Sequence, residues 1–450
     1  MDNDNARARA SARDLLEFID RSPSPWHAVA EMRVRLEQAG FQRLHEETKW
    51  SLTAGGAYYV IRDDSTIAAF RLGAGSLADE GYRIIGAHTD SPGFRVKPAG
   101  GQPRGGHASV DVEIYGGPIL ATFADRDLAL AGRVMLRDPN TGDVVRRLYH
   151  SDKAVLRLPN AAIHLNRQVN QEGLRFQQHD ELSLVAGMLH DGLPPEDAFR
   201  AHLASRLSCE PDDVLAWELA VADTQPGGFC GLDDEFIATS QLDNLASCHA
   251  GLDALLASDG DAFSGVSMLV CFDHEEVGSQ SFKGAQGSFL PDLVSRINAA
   301  SGVDPDDRHR AAAASMLLSA DMAHGYHPNF GRLYDQANQA KLNGGPVIKI
   351  NAQQRYATDS AAEAVFMALC EEAGVPCQKY VHRNDIPCGS TIGPMTASAL
   401  GVRTVDVGNA MWSMHSLRET AGASDQVAMI DVMTHFFGRE RLPWRTDRAT

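Results

Sequence analysis

The hydrophobic pattern of the chain changes period several times, and each change marks an element. Leu15, Leu16 and Ile19 recur at helical spacing from Asp14, and Ser22-Pro-Ser-Pro25 closes that helix and opens another, with Val29, Met32 and Leu36 along one face. Tyr58-Tyr-Val-Ile61 and Ile67-Ala-Ala-Phe70 flank the turn residues Asp63-Asp64-Ser65 and predict a hairpin. Tyr82-Arg-Ile-Ile-Gly-Ala-His88 predicts a strand that runs straight into His88-Thr-Asp90. From 92 to 234 the texture is β-rich. Val110, Val112 and Ile114 alternate with Asp111, Glu113 and Tyr115, and further strand-like stretches occur at Gly132 to Leu136, Ala154 to Leu158 and Val214 to Val221.

From Glu235 onward an α/β texture returns. A strand is expected from Phe236 to Thr239 and a helix bearing Leu245, Cys248, Leu252 and Leu255, with Asp243 at its start. The unbroken apolar run Val266-Ser-Met-Leu-Val-Cys-Phe272 predicts a strand covered on both faces, and it ends abruptly in Asp273-His-Glu-Glu276. Met316-Leu-Leu-Ser319 leads to Asp321, Pro346-Val-Ile-Lys-Ile350 carries Lys349, a helix follows from about Ser360 to Ala373, and Thr404-Val-Asp-Val407 leads to His415. Residues 445–450 are expected to form a loose tail. The pattern therefore predicts an α/β domain (1–91 and 235–450) with a β-rich domain (92–234) inserted into it.

Composition narrows the function. A formal net charge of -18 argues against nucleic acid or an anionic membrane as partner, because both require a basic field. No stretch of about 18 apolar residues predicts a membrane span, and the start has no signal-like apolar core. The seven cysteines are scattered without a CxxC pair, which points to free thiols and a cytoplasmic location rather than a disulfide framework or a thiolate metal site.

Singly, the chemistry-bearing residues have plain alternatives: His88 and Asp90 a solvated turn, Asp243 a helix N-cap. Jointly they differ. Asp90, two residues from His88, could accept the imidazole N–H and fix its tautomer. His88, Asp243, Glu276, Asp321 and His415 are oxygen and nitrogen ligands at expected strand or helix ends, a set that suits zinc, manganese or cobalt. Five ligands exceed one tetrahedral zinc and suit two metals roughly 3.5–4 Å apart sharing a carboxylate, a hydrolytic geometry that leaves Glu275 free as general base.

The motifs Gly86-Ala-His-Thr-Asp-Ser-Pro92, Gln241-Leu-Asp-Asn244, Asp273-His-Glu-Glu-Val-Gly278, Ser319-Ala-Asp-Met-Ala-His-Gly325, His327-Pro-Asn329, Asn384-Asp385 with Cys388-Gly-Ser-Thr-Ile-Gly-Pro394, and Met414-His-Ser416 carry a resemblance in order along nearly the whole chain. The sequence resembles the aspartyl aminopeptidases of metallopeptidase family M18. The resemblance implies a mixed-sheet dimetal aminopeptidase domain and an inserted dimerisation domain. It implies one metal on His88, Asp243 and Asp321 and a second on Asp243, Glu276 and His415, zinc foremost, with Asp90 orienting His88 and Glu275 as proton carrier. It further implies peptide substrates with an acidic first residue anchored by Lys349 and Tyr356, a His164 that reaches a neighbouring subunit's site, and a homododecamer built from dimers. Thr122-Phe-Ala-Asp-Arg-Asp-Leu128, where the family has Trp-Phe, and Asn409-Ala-Met-Trp412 depart from the family pattern without removing a ligand. A dimetal deacylase or dipeptidase, or a metal-stabilised assembly protein without catalysis, are the alternatives.

Overall fold

Strand Tyr82–His88, buried at all seven positions, lies near the middle of a nine-stranded mixed sheet. The computed structural model describes residues 2–188, 195–258 and 263–443, so the tail at 445–450 lies outside the described residues. The sheet order is Gln42–Arg43, Ala57–Arg62, Thr66–Leu72, Val266–Phe272, Tyr82–His88, Met316–Ala320, Arg403–Gly408, Val347–Ile350 and Gln378–Val381. Val266–Phe272, Tyr82–His88, Met316–Ala320 and Arg403–Gly408 form a parallel block in which Phe272 pairs with His88 and Ala320 with Val407. Four carboxyl ends thus share one edge, the edge at which open α/β sheets bind ligands.

Both faces of the block are covered, which is why its strands read as apolar runs rather than alternations. Ile85, Ala87, Leu269, Cys271, Leu318 and Ala320 pack under helices that include Leu242–Ala257, Ser360–Glu372 and Asp425–Gly438. Ile84, Met268, Val270, Phe272 and Leu317 face Phe289, Leu293, Ile297, Ala311 and Ile392 on the other side. Burial of each Leu, Ile, Val, Met or Phe among them contributes about 1.5–3 kcal/mol, so the sheet edge is a rigid platform.

The first helix, Asp2–Asp20, starts earlier than the pattern predicts, since Ala8 and Ala12 are buried and Arg7 Nη1 donates to Asp431 Oδ2 at 2.8 Å. Asp14 on this helix receives His249 Nε2 at 2.7 Å and Arg35 Nη1 at 2.7 Å, while Gln426 Nε2 donates to His249 Nδ1 at 2.9 Å. The His249 hydrogen bond, with Arg35 assisting against burial, holds the Asp14 carboxyl well below its ordinary range. A depressed folded pKa stabilises above the unfolded carboxylate range, and that stability fades as pH falls through it. Thermal melts of Asp14→Asn should therefore lie below wild type at neutral pH, with the gap closing below about pH 4; a pH-independent gap would contradict this linkage.

A second, wholly antiparallel sheet runs Val144–His150, Leu128–Arg137, Val214–Asp223, Gly93–Arg104, His107–Tyr115, Leu184–Met188. Its core holds Phe94, Val110, Val112, Leu130, Val134, Leu184 and Leu219. Ala154 to Leu158, expected as a strand, forms only isolated bridges: Leu156 to Leu128, Arg157 to Val185 and Leu158 to Ala124. Three successive residues with three separate partners cannot build a ladder. A third sheet, Gly228–Cys230, Phe236–Thr239, Glu419–Gly422, Ala410–Trp412 and Ala323–His324, lies beyond the carboxyl ends of the block. Among the described residues no helix is long and apolar enough to cross a membrane.

Candidate metal centre

His88 is the last residue of its strand and is 1% exposed. Beyond Phe272 the chain turns at His274, whose φ of 65° starts the short 3-10 turn Glu275–Val277. Asp321 directly follows Met316–Ala320. Asp243 does not cap its helix by a side-chain bond: it lies inside the kinked first turn, after a left-handed Gln241 and before a cis peptide to Asn244. Its carbonyl accepts from Ser91 Oγ at 2.6 Å, and Asn244 Nδ2 donates to the Ala320 carbonyl at 2.8 Å. His415, expected at the end of a strand of the main sheet, stands instead in the loop between Ala410–Trp412 and Glu419–Gly422 of the small sheet.

These elements converge. His88 Nε2 lies 3.5 Å from Asp243 Oδ1 and 3.6 Å from Asp321 Oδ1. His415 Nε2 lies 3.4 Å from Asp243 Oδ2 and 3.5 Å from Glu276 Oε2. Two groups therefore form, His88 with Asp243 and Asp321, and Asp243 with Glu276 and His415, and the ligand atoms within each lie within 4.8 Å of one another. Asp243 belongs to both. Glu275 comes within the same distance of His88 and Glu276. A further cluster, Asp14, His249 and Asp253, already has the Arg35 guanidinium on Asp14.

Asp90 acts differently from the expectation that its carboxylate takes the His88 N–H. The His88 Nδ1 bond, at 3.0 Å, goes to the Asp90 backbone carbonyl, and the nearer carboxylate oxygen is 3.4 Å away. The carboxylate is turned instead toward the backbone N–H groups of Glu275 at 3.2 Å and Glu276 at 3.1 Å. Two residues further along an extended chain, the carbonyl is simply better placed, and the carboxylate is free to serve the neighbouring turn.

The cluster crowds buried carboxyl groups together. Burial pushes the Glu275 carboxyl up to about 8, with the Asp321, Asp90 and Asp243 charges adding to it against His88. Burial and then Asp243 push Glu276 well above its ordinary range, and Glu419 up to about 8. Burial alone would lower His415, but Asp243 and Glu276 outweigh it and raise it to about 10; His88 is likewise held high by Asp243 and Asp321. Such a site suits a cation. Asp243 Oδ1 is buried with no hydrogen-bond partner among the described residues, and both groups offer only carboxylate oxygens and imidazole nitrogens, a donor set that fits zinc.

Lys349 is 2% exposed, and its Nζ lies 3.2 Å from Asp321 Oδ2 and 3.2 Å from the Met322 carbonyl, over the ring of the buried Tyr356 at 5.2 Å. His164 is exposed in a turn of the β-rich region and is not brought to the cluster within this chain. Two residues here had no role assigned from sequence. Glu419, fully buried, accepts from the backbone N–H of Asp243 at 3.1 Å and of His415 at 2.7 Å, joining the two elements. His324 is half-buried beside His382 and Lys349, and desolvation followed by those two neighbours lowers it to about 4. Its signal was present in Ser319-Ala-Asp-Met-Ala-His-Gly325, where it lies three residues past Asp321.

A family model for aminopeptidase I zinc metalloproteases (M18) matches residues 18–437. The chain belongs to the M18 family of zinc aminopeptidases. A probable M18 family aminopeptidase 2 from Pseudomonas paraeruginosa is 47% identical over 433 residues, covering 95% of this chain and 98% of the relative. Among solved structures, a chain in the cryo-EM structure of the Ape4 and Nbr1 complex superposes with a TM-score of 0.92 at 37% identity, covering 96% of this chain and 86% of that one. The S. cerevisiae mApe1 dodecamer superposes with a TM-score of 0.82 at 27% identity, covering 95% of this chain and 96% of that one. The mixed α/β architecture is that of M18 aminopeptidases, and the M18 enzymes are metallo-aminopeptidases.

Proposed function

We propose that this M18 member removes acidic residues from the amino termini of peptides, using two divalent ions, zinc foremost. His88, Asp243 and Asp321 would hold one and Asp243, Glu276 and His415 the other. The observation that carries this is the pair of ligand groups sharing Asp243. When bound, the metal pair supplies the Lewis acidity that polarises a scissile carbonyl and acidifies water.

The protein's own residues supply the rest. Glu275 is the proton carrier: its carboxylate takes a proton from the attacking water and returns it to the leaving amine, so it is needed twice per turnover. Asp90 holds the Glu275 and Glu276 backbone in place, as described above. Lys349 gives the pocket its acidic preference. Of its three N–H donors, one faces Asp321 and one the Met322 carbonyl, and the third is available to a substrate carboxylate beside Tyr356 and His324. The dodecameric S. cerevisiae relative supports self-association here; on this reading the chain forms a homododecamer built from dimers, joined through the β-rich insertion (92–234). In it the exposed Ile163-His164-Leu165 turn would meet a neighbouring subunit's site. The seven free cysteines fit a cytoplasmic location.

Initial rates on Asp-, Glu-, Leu- and Ala-anilides beside N-acetyl amino acids test the reading, and absence of turnover on every free-amine substrate would reject it. Lys349→Ala should lower kcat/KM on Asp and Glu substrates by about 10²-fold or more, the scale of a lost charged hydrogen bond, and on Leu or Ala substrates by much less. An equal loss on all substrates would mean that Lys349 serves Asp321 rather than specificity.

A further inference from the structure

Strand His107–Tyr115 of the inserted sheet ends at the metal centre. Tyr115 Oη donates to Asp90 Oδ2 at 2.6 Å, the shortest of the three hydrogen bonds this fully buried carboxylate receives. The other two come from the Glu275 and Glu276 N–H groups, so the torsion of the Asp90 side chain and the path of that turn are set together. The Arg95 guanidinium lies 4.4 Å over the Tyr115 ring and 5.2 Å over the Trp26 ring, which clamps the phenol.

The next two residues act on the same centre. Gly116, at φ 66°, passes so close to the turn that a Cβ there would lie 3.1 Å from Glu276 Cβ and 3.2 Å from the Glu276 carbonyl oxygen. The Gly117 carbonyl accepts the Nδ1–H of His415 at 3.1 Å, which orients the ring with Nε2 toward Asp243 and Glu276 and makes Nε2 the nitrogen that would take a metal. The seam continues with Ile119 N donating to the His415 carbonyl at 2.8 Å and Leu417 N to Thr122 Oγ1 at 2.9 Å. None of residues 115–117 belongs to a ligand group, yet together they fix Glu276 and His415, two of the three members of one group.

We propose that the Tyr115-Gly-Gly117 segment of the inserted domain is the positioning element of the metal centre, with Tyr115 a positioning residue that sets the Glu275–Glu276 turn through Asp90. Interdomain packing alone would predict a loss of stability with the folded fraction working normally. A positioning role predicts a defect in the folded protein itself.

The proposal rests on the metal assignment above, and the full-length protein tests it with zinc as probe. In Tyr115→Phe, competition against a chromophoric chelator should show zinc binding weakened by about 10–100-fold, the usual cost of losing an outer hydrogen bond to a metal site. kcat should fall by a similar factor with KM within about threefold, while circular dichroism and oligomer size stay those of wild type. Gly116→Ala keeps the hydroxyl and presses on Glu276, so it should weaken zinc binding by a separate route. A folded Tyr115→Phe protein with wild-type zinc affinity and kcat overturns the proposal. Should that variant fail to fold, a folded Gly116→Ala protein with wild-type zinc affinity overturns it, and misfolding of both variants assigns the segment to stability alone. A wild-type protein that binds zinc but cleaves nothing rejects the proposed function and leaves the zinc-affinity arm standing.

Discussion

Glu275→Gln is expected to keep the fold and the zinc content of the wild type while lowering kcat by about 10²–10⁴-fold, the usual contribution of a positioned general base. The amide matches the carboxylate in shape and leaves the Glu275 N–H on Asp90, so the turn stays where it is. What it loses is the ability to accept a proton. Glu276→Gln is the contrasting variant: Glu276 faces His415 at 3.5 Å within a ligand group, so its loss should lower metal affinity first and turnover as a consequence. Zinc per chain by elemental analysis, together with kcat on an Asp-anilide, separates the two. Turnover of Glu275→Gln within about threefold of wild type would remove Glu275 from catalysis. Loss of zinc together with activity would return it to the ligand combination it forms with His88 and Glu276.

The largest effect on stability is expected at Lys283. This side chain is 2% exposed, and its Nζ lies 3.0 Å from Asp273 Oδ2 and 3.1 Å from Asp63 Oδ2. Asp63 has a second cation, Arg133 of the antiparallel sheet, at 2.9 Å, whereas the 1% exposed Asp273 has besides Lys283 the His274 backbone N–H at 2.8 Å and the His274 ring at 3.6 Å. Lys283→Met would strand that buried carboxylate, at a cost of about 3–5 kcal/mol. Denaturant midpoints measure it. A loss under about 1 kcal/mol would show that water or His274 meets the charge instead, and adding Asp273→Leu should restore most of the loss, because removing both charges removes the penalty. Since Asp273 leads into Glu275 and Glu276, the single variant should also lose activity.

What could be read in the sequence depended on whether a residue's role has a periodic or an abrupt signature. The parallel block was legible because strands buried on both faces are apolar throughout, and an apolar run that stops in Asp273-His-Glu-Glu276 is rare enough to notice. His88, Asp243 and Asp321 stood at predictable element ends. The family resemblance and the mixed α/β class are both borne out. Other features had no such signature. Glu419 meets Asp243 across 176 residues and binds backbone N–H groups, which have no side-chain identity to search for. Tyr115 looked like one more outward position in an alternating strand, and Lys283 lies in a loop with no periodic pattern to single it out. The orientation of Asp90 was misjudged for the same reason: sequence spacing places a side chain but does not say that a carbonyl two residues along will reach the imidazole first.

The position of strand Tyr82–His88 also governs how the chain is made. Its partners in the sheet are the strands that begin at Val266 and Met316, so during synthesis it has no neighbour until most of the polypeptide has emerged. At about 5–20 residues per second, the span from His88 to Ala320 takes about 10–50 s to make. The six strands of the antiparallel sheet pair only with one another and can close within that interval. The antiparallel sheet can thus be complete while the seven-residue apolar central strand still lacks its neighbours, so that strand is the stretch most exposed to wrong pairing during synthesis.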